Sequence, residues 1–595
     1  MIFSIKTGRL SAAVAFAVLA VGTSCVKTDG TLGQDYIPSS HIWKIATATF
    51  DIDEIEMQRS DELGGYSSKR VAIGGIYDPD FGWGERVSAF TLIPLVDTLT
   101  FSMAEDAVCT GFHFALAKDT LSFREDSQER ILQAVQVYEL LKPLDNDIIY
   151  SGKLDGEEYI GDDGQKFRMY DTSSGVITEG IPIYNGGDSL VFELKREFGQ
   201  KYLDALKGMK LGDVNEYAKQ LPGIIIKAER PMGSGRINLF QATVGTDDNN
   251  YLTGNYVLLR YRATFDDRGP IDTTLVLLPG LSNMIDSETS TLPGQYVFNF
   301  SSSEELTPAG IATDKILVEG GSGLKPVIRA EKIKSALENQ IRAVIKDYIE
   351  GYEDMDAEEQ NTAIQAKLAQ TIVNRATITL PYEHSENFDE VSKYPKVLSP
   401  TCRMEATRTI SDDAGGTSEQ KVITFAGLTD ASVASENQGN INRSLNRYQP
   451  DFSHHAQEIL RLSKKDDESE EEYAARMSKY DIWMLIMHPE TTTTSSSGDS
   501  SYNDYLNALA YSSYYNNLYG YGGYGYGSYG YGYDSYYNNY YNYMMMAAYA
   551  SQSSTTTTSS VDLDKDRYYN CHLYGPSAEA DKRPKITVTF SFPKE

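Results

Sequence analysis

The chain has 595 residues, a formal net charge of −30 and an apolar fraction of 41%. That is long enough for two to four domains and apolar enough for real cores, which excludes global disorder. So acidic a chain offers no cationic surface for nucleic acid or for anionic lipid headgroups. Beyond the first 24 residues no run of about 18 apolar residues occurs, so no later segment spans a membrane as a helix.

Met1–Ser24 is built like a bacterial export signal. Lys6 and Arg9 form its basic start, and Leu10 to Val21 is an apolar stretch too short to cross a bilayer. Val21-Gly22-Thr23-Ser24 then leads into Cys25, a run of small residues that resembles a lipobox, in which a peptidase cleaves before an acylated cysteine. Gly22 stands where Leu is usual, and an ordinary secretory signal with an incidental cysteine is the alternative. The expected layout is a signal peptide at 1–24, lipid on Cys25 and a polar tether at 25–40. Several acyl chains on one cysteine anchor a protein, because each buried methylene contributes about 0.8 kcal/mol.

From 41 to 300 short β-branched and aromatic segments are broken by Gly, Asp and Pro, the pattern of a β-sandwich region. Strands are expected at Lys44–Asp53, Arg70–Tyr77, Arg86–Val96, Thr98–Met103, Ala134–Leu141, Gly223–Glu229, Arg236–Val244 and Val257–Phe265. The unbroken apolar runs Ile224-Ile225-Ile226 and Val257-Leu258-Leu259 suit strands buried on both faces or bordering a core. Arg196–Lys207 and Asp213–Gln220 read as short helices.

A second β-sandwich region is expected over 301–595, with strands at Lys315–Gly320, Arg375–Pro381, Met404–Thr409, Ala456–Leu462, Ile482–His488 and Lys585–Phe592. Two insertions separate them. Over 330–372, Ile333, Leu337, Ile341, Val344, Ile345, Tyr348 and Ile349, then Ile364, Leu368 and Ile372, recur at three- and four-residue steps, which predicts a helical hairpin packed on its own domain. Over 490–560, Thr/Ser runs flank a tract holding about 18 of the 42 tyrosines, mixed with Gly, Asn and Ser. That composition predicts a disordered loop. The fold expected overall is mainly β, with two sandwich-like regions.

Catalytic patterns fail on inspection. Gly320-Gly321-Ser322-Gly323 and Gly233-Ser234-Gly235 lack the strand–turn–helix context of a nucleophile elbow, and neither a zinc helix nor a Walker loop occurs. His454 and His455 are adjacent, so they point apart and make a poor metal site. Asp562-Leu563-Asp564-Lys565-Asp566 resembles the start of a calcium loop, but Arg567 and Leu573 stand where Gly and Glu belong. Cys109, Cys402 and Cys571 are odd in number and widely spaced, which favours buried thiols over a disulfide framework. Three tryptophans, Trp43, Trp83 and Trp483, are few for a sugar cleft.

Gly75-Ile76-Tyr77-Asp78-Pro79-Asp80-Phe81-Gly82 is the most specific stretch. Asp78-Pro79 sets a turn, Gly82 releases it, and Tyr77 and Phe81 are expected to anchor both sides in the core. With the lipoprotein signal, this G-x-Y-D-P-x-F-G segment resembles a family of Bacteroidota outer-membrane lipoproteins of unknown function. Val135–Leu140, Leu221–Ile224 and Val373–Ile378 add to the likeness. The resemblance implies an envelope lipoprotein of β-sandwich type and transfers no functional residue except Cys25. Lys27 and Asp29 look like part of a surface-export signal, tilting the expectation toward the cell surface.

The expectation is a non-enzymatic, cofactor-free outer-membrane lipoprotein. It meets the membrane through lipid on Cys25 and binds a glycan or an outer-membrane protein, not nucleic acid. The alternatives are an accessory subunit of an envelope assembly machine and a glycoside-active enzyme.

Overall fold

The computed structural model describes residues 42–594, except 96–102, 120–122, 125–130, 145–147, 149, 162–163, 208–213, 231–234, 247–251, 265–268, 281–295, 307, 385–393, 412–416 and 495–555. The signal, Cys25, the tether, the expected strand start at Thr98 and the Tyr/Gly-rich tract lie outside the described residues. The chain is mainly β, with few helices. It divides into two compact units. The smaller comprises residues up to Ala48, Glu338–Asn374 and residues from Thr589 on; the larger comprises Thr49–Leu337 and Arg375–Val588.

The smaller unit holds most of the helical insertion. Ile341 and Ile345, at one four-residue step, are fully buried. After a turn through Gly351 (φ 68°), Asp356 opens the helix Ala357–Ala369 with a capping box: its carboxylate accepts the N–H of Glu358 and Glu359, and the Glu359 carboxylate accepts the Asp356 N–H. Ile364 and Leu368 are buried as expected. The Lys367 ammonium donates to the Tyr348 and Lys594 carbonyls at 2.7 and 3.1 Å.

In the larger unit, strand Gly82–Pro94 organises a sheet of thirteen strands. Its first half pairs with Arg70–Asp78 and Val297–Ser303, and its second with Ile224–Ala228 and Pro270–Gly280. Both faces of this junction are buried. Ile224 and Ile226 join Phe90, Leu92, Val135 and Val137 in the larger core, while Ile225 joins Val87, Ala89 and Tyr138 in a second. An unbroken apolar run is what two cores require, each such side chain contributing about 2 kcal/mol on burial. Strand Tyr256–Thr264 instead has one buried face: Val257, Leu259, Tyr261 and Ala263 point inward, and Arg260 and Arg262 are exposed.

A second sheet of seven strands includes Glu56–Arg59, Leu324–Ile328, Ile482–Thr494, Val397–Ser411, Thr417–Gly427 and Thr556–Leu563. The Thr runs expected to flank a loop are part of it: Ile482–Thr494 pairs with Thr556–Leu563 out to Thr494↔Thr556. Thr is β-branched and settles readily into extended backbone.

Two further expectations are corrected. Ala456–Leu462, read as a strand, lies largely in the helix Ser453–Arg461, with His455, Ala456, Ile459 and Leu460 on its buried face. Its N-terminus is held by one distant carboxylate and one local one: Asp430 accepts the N–H of His454 and His455 at 2.8 and 3.3 Å, and Asp451 accepts that of Ser453 at 3.0 Å. Tyr77, expected in the core, is 46% exposed, whereas Phe81 is buried with its ring 5.1 Å from His572. The turn itself forms as read. Asp78 accepts the N–H of Asp80 and Phe81, Gly82 takes φ +78°, and Asn570 donates to the other Asp78 oxygen at 3.1 Å. The segment is a clasp onto strand Asn570–Tyr574.

Candidate functional site

Strands Lys315–Glu319 and Leu324–Ile328 are joined by the tight turn Gly320-Gly321-Ser322-Gly323. Gly321 has φ +58°, and a Cβ there would sit 1.9 Å from Ser301 Oγ, so the turn demands glycine. The Ser322 hydroxyl donates to the Ser301 carbonyl at 2.8 Å. The reward of this geometry is two carbonyls converging on one ammonium: Lys325 Nζ donates to Gly321 O at 2.9 Å and Gly323 O at 2.8 Å.

Lys325 is 2% exposed. Burial pulls its ammonium down to about 7, against the opposing pull of Glu319. Glu319 is buried as well. Its carboxylate accepts the Leu324 N–H at 3.0 Å and lies 3.8 Å from the Arg59 guanidinium, yet burial still raises its pKa. Two further acids are paired with arginines. Glu62 is held by Arg403 at 2.5 Å, and burial raises Asp564, 3.8 Å from Arg567.

Glu62, Lys325 and Asp564 border a cavity of about 100 Å³. One water needs roughly 10–15 Å³ by this measure, so there is room for several waters or one small polar ring. Tyr66, Tyr150, Phe298 and Phe425 supply aromatic walls, and Glu62, Lys325, Asp564 and Lys565 supply donors and acceptors. Aromatic faces beside mixed donors and acceptors take a ligand that is apolar on one face and hydroxylated at its edge. The charged lining residues balance, two of each sign, which suits a neutral ligand.

The sequence-based candidates are scattered. Of the calcium-like run, Asp564 borders the cavity and Asp566 pairs with Arg70 at 2.9 Å, so the carboxylates do not converge. Among the described residues no group of three or more His, Cys, Asp or Glu is placed to hold a metal ion. His455 is buried, 2.9 Å from the Tyr480 carbonyl and 3.8 Å from Cys402 Sγ, and burial drops it to about 4. Cys109, Cys402 and Cys571 are buried thiols outside any disulfide, and burial raises those of Cys109 and Cys571. Trp83 and Trp483 are buried, leaving only Trp43 of the three substantially exposed.

Sequence reasoning missed Lys325 and Glu319. The signal was there: a lysine inside the apolar segment Leu324–Ile328, just beyond a glycine-rich turn that was weighed only as a catalytic elbow. No protein-family model, curated protein or solved structure matches the chain.

Proposed function

We propose that the chain is a non-enzymatic, lipid-anchored outer-membrane protein that binds a neutral glycan unit in the cavity beside Lys325. The observation that carries this reading is Cys25, set directly behind an export signal, because it restricts the ligand to what the envelope meets. No helix among the described residues is long and apolar enough to cross a membrane; the anchor in this reading is the acyl chains on Cys25. The cavity supports the binding half, since its walls are aromatic and its charges balanced.

A non-catalytic role is supported by how the reactive groups are spent. Lys325 is tied to two carbonyls, and Asp430, raised to about 6 by burial, serves the N-terminus of a helix.

The test has two arms. Changing Cys25 to Ser should move the protein from the membrane to the soluble fraction and abolish incorporation of labelled palmitate; retention in the membrane would overturn the anchor. Purified protein should bind saccharides on an array, and Ala406→Phe, which fills the cavity, should abolish that binding while the circular dichroism stays unchanged. Hydrolysis of a polysaccharide, or stable co-purification of a β-barrel protein without saccharide binding, would overturn the binding role.

A further inference from the structure

The first strand after the tether carries an apolar face turned to solvent. Along Trp43–Asp51, alternate residues are exposed, Trp43 at 44% and Ile45 at 72% among them. Strands Trp43–Asp51, Lys585–Pro593 and Ile372–Pro381 lie side by side in that order. Two side-chain contacts fix which residues share the exposed face: Thr47 Oγ1 meets Thr589 Oγ1 at 3.0 Å, and Ser591 Oγ meets Asn374 Oδ1 at 3.3 Å. By the two-residue period of a strand, Trp43, Ile45 and Thr47 share it with Thr589, Ser591, Asn374 and Ile372. Ile372 is 41% exposed, and none of these side chains is charged.

We propose that this face rests on the lipid surface beside the anchor, with Trp43 and Ile45 entering the interface between headgroups and acyl chains. The inference rests on the reading of Cys25 as the lipidated residue. Seventeen residues separate Cys25 from Trp43, a reach of at most about 60 Å. At that tether length the face meets the bilayer at an effective concentration on the order of millimolar, so weak apolar contact suffices. A bilayer is favoured as the occupant because tryptophan, with an apolar body and a polar N–H, concentrates at membrane interfaces. The net charge of −30 keeps most of the surface away from anionic headgroups, and an uncharged patch is where such a chain can approach them.

The tryptophans make the experiment specific. Trp83 and Trp483 are 5% and 6% exposed, so only Trp43 is open to a quencher from outside. The full lipidated chain is reconstituted into phosphatidylethanolamine–phosphatidylglycerol vesicles with brominated acyl chains, and its emission is read against unbrominated vesicles. Floating protein should lose about a third of its tryptophan emission, one residue in three. Trp43→Phe should abolish the loss, and Ile45→Asp should reduce it. Protein that floats with full emission overturns the docking and leaves the anchor standing. Protein that fails to float overturns the anchor, and the docking with it.

Discussion

Strands Gly82–Pro94 and Leu324–Ile328 are both buried, and they spend burial in opposite ways. The first sends apolar side chains into two cores, Phe90 and Leu92 to one side and Val87 and Ala89 to the other. The second places Lys325 beside Glu319 and a cavity, where each ion must be satisfied by carbonyls, a guanidinium or its partner. An apolar core stabilises without regard to pH or ligand. A buried ionic cluster is weak as a source of stability, and its cost is set by what surrounds it. The contrast separates a part of the larger unit that holds the fold from a part that can sense what enters the cavity.

The comparison breaks most readily at Phe114, fully buried with its ring 4.4 Å from Phe192. Phe114→Ala should cost about 4 kcal/mol, read as a lowered denaturant midpoint, and should leave saccharide affinity intact in the protein that remains folded. Lys325→Ala should cost about 3 kcal/mol, because it leaves a void in addition to stranding Glu319 and two carbonyls. Lys325→Met should stay within about 1 kcal/mol of the parent, since Glu319 can take up a proton, yet it should lose binding as fully. Equal stability losses for Ala and Met would show that the charge of Lys325, and not its bulk, sets the cost. Gly321→Ala combines a left-handed backbone with a clash on Ser301 and should cost about 2 kcal/mol; an unchanged melting temperature would mean the turn can rebuild.

The finest test is pH, at His455 and Asp430. His455 titrates at about 4 in the fold against an ordinary 6.5, so between those values the unfolded chain binds more protons and stability climbs with pH. Asp430 titrates at about 6 against 3.8. From 3.8 to 6 the folded chain holds the extra proton, and stability falls with pH. The two trends oppose. His455→Asn should leave stability falling between pH 4 and 6, and Asp430→Asn should leave it rising, each by about 1 kcal/mol per pH unit. Parallel denaturation curves for the two variants across that window would contradict both assignments.

Legibility followed the same division. The run Ile224-Ile225-Ile226 announces a doubly buried strand because three adjacent apolar residues can be satisfied only by a core on each face. The helix Ser453–Arg461 was not legible, since Asp430, which caps it, lies more than twenty residues upstream. Lys325 was legible only in part: a lysine in an apolar segment after a glycine-rich turn marks an odd position, but nothing in the sequence says that two glycine carbonyls will receive it. The cavity draws on segments from Glu62 to Lys565, so it exists only after folding. The turn at Asp78 was legible because Pro and Gly fix backbone angles locally, but the expectation that Tyr77 and Phe81 would both face the core held for Phe81 alone.

The pairing of Thr494 with Thr556 sets the two residues that bracket 495–555 side by side. Closing a longer loop between such fixed points costs only about 0.6 kcal/mol for each doubling of its length. The hairpin end is therefore a port at which repeats can be gained or lost, or a foreign peptide grafted, with little toll on the sheet that carries it.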